Sequence, residues 1–243
     1  MNTPYPKNTP RFLGAAFVFV FFASLIGGIL HGSALGVGPF DDATSISDVL
    51  VSVANNIPLL RISILIELAN GVAIIVLAAL LYVSLRHQNR TLSLVALGWW
   101  LAEAMMMFIS KIGTYAMIPL SQQFVDAGTP ASSHFQTLGT FLYSIMDEAA
   151  YDIHMALFCI GALLWYALLY RSRLVPNWLA GWGFVAVSLA TVASLISLYD
   201  SSIDIPTLIY IPYIPFELFL GIWLMVKGFN PPDITSETNY QKI

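Results

Sequence analysis

The sequence predicts an all-α polytopic membrane protein, a bundle of six transmembrane helices with a short outer amphipathic helix. Composition is the first observation behind this prediction, because hydrophobic residues make up 58% of the chain and charged residues only 10%. A soluble globular domain carries about 25% charged residues. The mean hydropathy of +0.76 likewise predicts that the main partner of the chain is a lipid bilayer.

Long apolar runs are the second observation. A helix of about 20 apolar residues crosses ~30 Å of hydrocarbon, and the sequence contains six such runs, at residues 12–32, 62–85, 91–112, 141–169, 177–199 and 207–226. The fourth run is longer than a bilayer requires, which predicts a tilted helix or one that projects beyond the membrane. We expect one domain over residues 1–243, of which 228–243 form a polar cytoplasmic tail.

The basic residues are the third observation, and they predict the orientation. Eight of the ten lysines and arginines lie beside the ends of runs that would face the cytoplasm, namely Lys7, Arg11, Arg86, Arg90, Arg171, Arg173, Lys227 and Lys242. Cytoplasmic loops carry the excess of positive charge in membrane proteins, so both termini are predicted to be cytoplasmic. The net charge of −4, with no larger basic cluster, argues against nucleic acid as a partner.

Two segments between the runs are long and would lie outside. The stretch from Ser45 to Asn56 starts with a Ser45-x-x-Asp48 capping pattern and repeats apolar residues at helical spacing, which predicts a short amphipathic helix on the outer surface. The second segment, residues 113–140, is rich in Gly, Pro, Ser and Gln. That composition predicts an ordered cap or a loop with one helical turn.

Three glycines recur at every fourth position near the outer end of the first run: Gly28, Gly32 and Gly36. Small residues at this spacing let another helix backbone approach closely. The pattern favours packing within the bundle, and a homodimer formed through the same glycines is the alternative.

Ionisable residues within or beside the runs carry the functional information. They are Glu67, Glu103, Asp147, Glu148, Asp152, Glu217, Arg61, Lys111, His31 and His154. A charged side chain at the centre of a bilayer costs about 2.5 to 3.5 kcal/mol even on insertion scales, so each needs a partner, a wet cavity or a place near the interface. Most fall at mid-depth or in the outer half, which predicts a polar cavity closed towards the cytoplasm and open to the outside.

Helical spacing predicts which of these groups share a face. Asp147, Tyr151 and His154 lie on one side of the fourth run, and a facing stripe on the third run consists of Glu103, Met107, Ser110 and Lys111. We expect Lys111 to pair with Asp147 or Glu148. The candidate ligand-binding residues are therefore Glu67, Asn70, Glu103, Met107, Lys111, Asp147, Tyr151, Asp152, His154 and Glu217, although packing and ion pairing between helices would explain several of them.

A divalent metal is a further possibility, with Asp152, His154 and Glu103 as candidate ligands. If the protein were an enzyme, Glu103 would be the candidate general base. The motif support is weak, because the sequence has one midspan histidine, no His-x-x-x-His pair and no Gly-x-Ser-x-Gly nucleophile motif.

Several stretches resemble a known family. They are residues 98–104 (GWWLAEA), 120–128 (LSQQFVDAG), 135–139 (FQTLG), 151–155 (YDIHM), 170–176 (YRSRLVP) and 223–229 (WLMVKGF), together with Glu217. In order and spacing they resemble the bacterial integral-membrane proteins of domain-of-unknown-function family 4386. The resemblance covers Arg11 to Asn230, with one departure at Asn177, where relatives usually have arginine. It implies a six-helix bundle in a bacterial cytoplasmic membrane and assigns no reaction.

Three functions remain open on the sequence. The leading hypothesis is a bundle whose outward-facing acidic pocket binds a small or lipidic ligand, either cationic or hydrogen-bonding, for sensing, resistance or transport. The first alternative is an intramembrane metal-dependent hydrolase of a lipid amide or ester. The second is a structural or partner-binding membrane subunit.

Overall fold

The computed structural model describes residues 6–38, 43–131, 134–200, 203 and 205–230. Within these residues every regular element is helical: α1 (Thr9–Leu35), α2 (Ile46–Asn55), α3 (Ile57–Leu85), α4 (Arg90–Asp126), α5 (His134–Thr140), a π-helical segment (Phe141–Ala149), α6 (Ala150–Ser172), α7 (Asn177–Tyr199), a 3₁₀ turn (Thr207–Ile209) and α8 (Ile214–Val226). The chain is thus a multi-pass helical membrane bundle, as predicted. Apart from its first three residues, the predicted polar tail 228–243 lies outside the described part of the chain.

Five helical stretches are long and apolar enough to cross a membrane: α1, α3, α4, α7 and the continuous stretch His134–Ser172. The predicted sixth span, 207–226, is shorter than expected, because α8 begins only at Ile214 and has 13 residues, about 20 Å of helix. Prolines explain the late start. Pro206 and Pro212 lack the N–H that an α-helix interior needs, whereas Pro215 lies in the first turn of α8, where that group is not required.

The prediction of a cap or loop over residues 113–140 is wrong. Helix α4 continues through Pro119 to Asp126 and is 37 residues long, about 56 Å against the ~30 Å of hydrocarbon. Its buried side chains there include Ile118, Leu120 and Phe124, which belong to clusters with α2 residues. Apolar packing against α2 therefore stabilises a helix that local composition argues against.

Helix α2 forms at the predicted place and with the predicted cap. The Asp48 N–H donates to Ser45 Oγ (3.3 Å), and the Ser45 N–H donates to Asp48 Oδ2 (3.0 Å), so both halves of a capping box are present. Its buried residues Val49, Leu50 and Val53 pack on the ends of α1, α3 and α4. The apolar face of α2 therefore covers the bundle itself.

The long helices pack as antiparallel neighbours. Helix α1 lies between α3 and α8, α4 lies between α3 and α6, and α7 packs on α6. We call the end of the bundle that carries Arg11, Arg86, Arg90, Arg173 and Lys227 the basic end. At this end the Asn230 N–H donates to the Leu174 carbonyl (2.8 Å), which ties the end of α8 to the turn between α6 and α7.

Glycines allow the closest helix crossings, but they are not the three that recur in α1. A Cβ atom on Gly14 would fall on the backbone oxygen of Gly221, where α1 crosses α8. Gly32 packs against the backbone of Gly38, and Gly36 ends α1 with a left-handed φ of 73°. The homodimer through Gly28, Gly32 and Gly36 stays a prediction.

Replacing Gly14 by alanine should destabilise the bundle, because the new methyl group would meet backbone that cannot rotate away. The matched change Gly28→Ala has open space around its Cβ and should be neutral or stabilise the helix by up to about 1 kcal/mol. Thermal unfolding of the two purified variants in detergent checks this. Equal melting temperatures would contradict the crossing.

Replacing Ser45 by alanine should loosen the start of α2. Loss of an N-cap costs ~1 kcal/mol, about a fivefold change in a local equilibrium, so hydrogen exchange of the α2 amides should accelerate about fivefold. The control Asn55→Ala, at an exposed position at the other end of α2, should leave the hydrogen-exchange rate of the first α2 amides unchanged.

The cap also predicts a pH dependence. The Ser45 hydroxyl holds the pKa of Asp48 below its ordinary value. A lowered folded-state pKa means that the stabilisation is complete above the unfolded-state pKa and is lost as the pH falls through the folded-state value. The hydrogen-exchange rate of the α2 amides, corrected for the intrinsic pH dependence of exchange, should therefore rise only in strong acid. A loss of protection of these amides near neutral pH would contradict the prediction.

Candidate functional site

A cavity of about 410 Å³ lies within the bundle, and residues of α1, α3, α4, α6, α7 and α8 line it. Its polar lining residues are Ser24, Glu103, Tyr151, Asp152, His154, Ser194, Ser197, Tyr210, Tyr213 and Glu217. Three of these are acids, and among the described residues no lysine or arginine lines the cavity. The remaining lining side chains are aliphatic, aromatic or methionine.

Glu103 is the most buried acid of the cavity, with 3% of its surface exposed. It lies one turn along α4 from Trp100, whose indole Nε1–H donates to the Phe158 carbonyl (3.1 Å) and joins α4 to α6. Gly161 leaves the room that this indole occupies. Glu103 therefore sits on a rigid helix crossing, and its Oε2 atom has no hydrogen-bond partner among the described residues.

Glu217, the second deep acid, does have partners. The Tyr213 hydroxyl donates to Glu217 Oε1 (2.5 Å), and the hydroxyls of Tyr166 and Tyr213 are 2.9 Å apart. Glu103 and Glu217 are close enough for their charges to repel each other. The cavity lining thus includes carboxyl groups from α4 and α8. One is held by a tyrosine pair, and the other has an oxygen, Glu103 Oε2, without a donor among the residues described.

The first turns of α6 form the more open side. Tyr151 lines the cavity although 59% of its surface is exposed, so the cavity reaches the surface at this point. His154 Nδ1 is 2.9 Å from the Tyr151 carbonyl; because a carbonyl only accepts, the hydrogen is on Nδ1 and Nε2 can accept. Asp152 lies beside Ser197 of α7.

A family model described as "Domain of unknown function (DUF4386)" matches residues 12–228. This chain belongs to that family. Glu103, Asp152, His154 and Glu217, which all line the cavity, lie within the matched range. Neither the comparison with curated proteins nor that with solved structures gave a match.

Of the ten candidate residues predicted from the sequence, the structure of this DUF4386 protein places six on the cavity: Glu103, Met107, Tyr151, Asp152, His154 and Glu217. The other four, Glu67, Asn70, Lys111 and Asp147, do not line it. They form contacts between helices further towards the end opposite the basic end. The expected face shared by Asp147, Tyr151 and His154 is interrupted, because the i→i+5 turns of the π-helical segment shift the helical register ahead of α6.

The predicted pairing of Lys111 with Asp147 or Glu148 is wrong. Lys111 is buried and forms an ion pair with Glu67 of α3. Asp147 instead accepts hydrogen bonds from His31 Nε2 of α1 (2.8 Å) and from the Thr114 hydroxyl of α4 (2.9 Å). Helical spacing shows which residues share a face of one helix, but it does not show which neighbouring helix that face meets.

Several polar lining residues were not predicted from the sequence, among them Tyr210 and Tyr213 just before α8. Ser194 and Ser197 are the polar contribution of α7, a helix that has no charged residue. Their spacing of three residues in an apolar span was the available signal. Ser24, which accepts from the Asn70 amide (2.9 Å), lines the cavity from α1, and an isolated serine gives no such signal.

The predicted metal site finds no geometric support. In the described part of the chain, no three His, Cys, Asp or Glu side chains converge so that they could hold a metal ion. Asp152, His154 and Glu103 all line the cavity but are not grouped as ligands. The three residues lie at a similar depth and line the same cavity. Their spacing in the sequence could not show whether they also converge on one point.

Replacing Glu67 by glutamine should destabilise the protein strongly, because Lys111 would stay buried without its counter-charge. Breaking a buried pair in this way costs about 3 to 5 kcal/mol. The double variant Glu67→Gln/Lys111→Met should recover most of the loss, and Arg61→Gln, at an exposed position of the same helix, should change little. Thermal unfolding compares the four proteins; a double variant no more stable than Glu67→Gln would argue against the pair.

Proposed function

We propose that this DUF4386 protein is a membrane ligand-binding protein whose acidic cavity takes a small or lipidic ligand with a positive charge or hydrogen-bond donors. The observation that carries the proposal is the Glu103 carboxyl oxygen, which is buried at the cavity and has no hydrogen-bond partner among the described residues. A ligand donor placed against this oxygen would complete its hydrogen bonding.

The energetic cost of Glu103 supports this reading. A buried polar group without a partner costs about 1 to 3 kcal/mol, and more if it is charged. Intramembrane acids that are retained despite such a cost are usually functional. The second acid, Glu217, increases the need for positive charge, because no lysine or arginine of the described residues lines the cavity to neutralise either carboxyl group.

Size and wall chemistry also fit a small organic ligand. The volume of about 410 Å³ lies within the ~300 to 1,000 Å³ of known ligand pockets, which are mostly apolar with a few placed polar groups. Aromatic side chains of Phe21, Trp100, Phe158 and Tyr213 border the cavity, and aromatic faces attract cations. If the basic end faces the cytoplasm, as positive charge in the loops favours, the side of the cavity formed by Tyr151 and Ser197 lies towards the outer face.

The two alternatives have less support. A metal-dependent hydrolase would need a ligand cluster, and the described residues hold none. A purely structural role accounts for the Lys111–Glu67 and His31–Asp147 pairs, which join α1, α3, α4 and the π-helical segment. It does not account for Glu103, whose Oε2 atom has no hydrogen-bond partner within the part of the chain that the structure describes.

Ligand binding should raise the melting temperature of the purified protein, and primary amines should do so more than alcohols or carboxylates of equal size. An amine at ~100 times its dissociation constant would add about 2.7 kcal/mol of stability. The shift should vanish in Glu103→Gln and weaken in Glu217→Gln. Asp126→Asn, an exposed acid at the end of α4, is the control and should keep it.

Two results would contradict the proposal. A panel of amines that leaves the melting temperature of the unmodified protein unchanged, or a shift that survives Glu103→Gln in full, would mean that the carboxyl group does not receive a ligand.

A further inference from the structure

The short helix α8 leaves an opening in the side of the bundle. Helix α1 has 27 residues, about 40 Å, whereas α8 has 13, about 20 Å, and starts at Ile214. The two helices cross at Gly14 and Gly221, towards the basic end. Beyond the start of α8, therefore, the described residues contain no α-helix that continues alongside α1 on that side.

The rim of this opening is both part of the cavity and part of the outer surface. Leu25 of α1 and Ile214 of α8 line the cavity, yet 46% and 49% of their surfaces are exposed. Two large exposed side chains nearby on α1, Phe22 and Ile29, are also apolar. Apolar surface on a membrane-spanning helix faces acyl chains, so this opening faces lipid.

The apolar side chains of the cavity lie at the opening, and the acidic side chains lie deeper inside. The rim at Leu25 and Ile214 is apolar, and the buried Glu103 carboxyl group with Glu217 lies inside. A molecule that complements this arrangement has a cationic head group, which binds the carboxyl groups, and an apolar chain, which passes the rim and reaches the lipid.

We infer that the cavity opens sideways to the lipid between α1 and α8 and that its ligand is a long-chain amine, with the ammonium group against Glu103 and Glu217 and the chain across the Leu25–Ile214 rim. This inference rests on the proposed function and specifies its ligand. The ammonium group carries N–H donors, because an oxygen without a partner, Glu103 Oε2, needs a hydrogen bond as well as a charge. A quaternary ammonium has no N–H and leaves that oxygen unsatisfied.

The experiment measures binding of three probes to the full chain in lipid nanodiscs: dodecylamine, dodecyltrimethylammonium and benzylamine. Benzylamine is short enough to lie wholly inside the cavity. In the unmodified protein, dodecylamine should bind at least about tenfold more tightly than dodecyltrimethylammonium, because a hydrogen bond to a charged group is worth ~1.5 to 3 kcal/mol. Equal binding of the two long-chain probes would overturn the assignment of an N–H donor.

Substitutions at the rim test the opening. Leu25→Trp and Ile214→Trp place a large side chain across it and should slow dodecylamine association about tenfold or more while leaving benzylamine binding unchanged. The matched controls are Ile29→Trp and Ile222→Trp, on the same two helices and exposed to 50% and 49% but not lining the cavity. Both controls should bind dodecylamine like the unmodified protein.

The outcomes separate this inference from the proposed function. Benzylamine binding by the rim variants shows that they are folded, and if these variants also take up dodecylamine at the original rate, the sideways opening is wrong while the binding function stands. Loss of benzylamine binding in both rim variants would also overturn it, since the rim would then belong to the binding site. If no amine binds the unmodified protein, the proposed function itself fails.

Discussion

The cost of placing charge in hydrocarbon is the constraint on which the rest of this structure depends. Away from the basic end, the bundle meets it by pairing groups from different helices: Lys111 with Glu67, and His31 with Asp147. Each pair links elements that are distant in sequence, so the charges also help to fix how the helices are placed. Glu103 differs from these pairs, because its buried Oε2 has no hydrogen-bond partner in the described part of the chain.

Packing details decide where these groups meet. Gly113 accommodates Met146 and Gly161 accommodates Trp100, which brings α4 close to the π-helical segment and to α6. The π-helical segment shifts the helical register, so that Asp147 faces α1 and α4 while His154 lines the cavity. The same chain segment thereby supplies a structural pair and a cavity wall. The short α8 then leaves the apolar rim through which, on our inference, the cavity meets lipid.

Sequence reasoning succeeded where the cause is local. The Ser45–Asp48 cap depends on groups three residues apart, and the structure contains it as predicted. It failed where distant contacts outweigh local composition, as in the continuation of α4 through Pro119, which packing against α2 stabilises. For the site, the cost of an acid at midspan singled out Glu103 and Glu217, which both line the cavity. The partner of Lys111 was not predictable, because several acids lay at a suitable depth.

Taken alone, the sequence determined that this protein lies in lipid and which ionisable side chains within the membrane need a partner. Composition and the length of the apolar runs suffice for this, because they set the free energy of transferring apolar and charged groups between water and lipid. It also determined membership of the DUF4386 family, since the matched stretches are a property of the chain. Only the tertiary structure decided which acids are neutralised by a neighbouring helix and which face a cavity, because hydrogen bonds and ion pairs act over a few ångströms and require the helices to be in place.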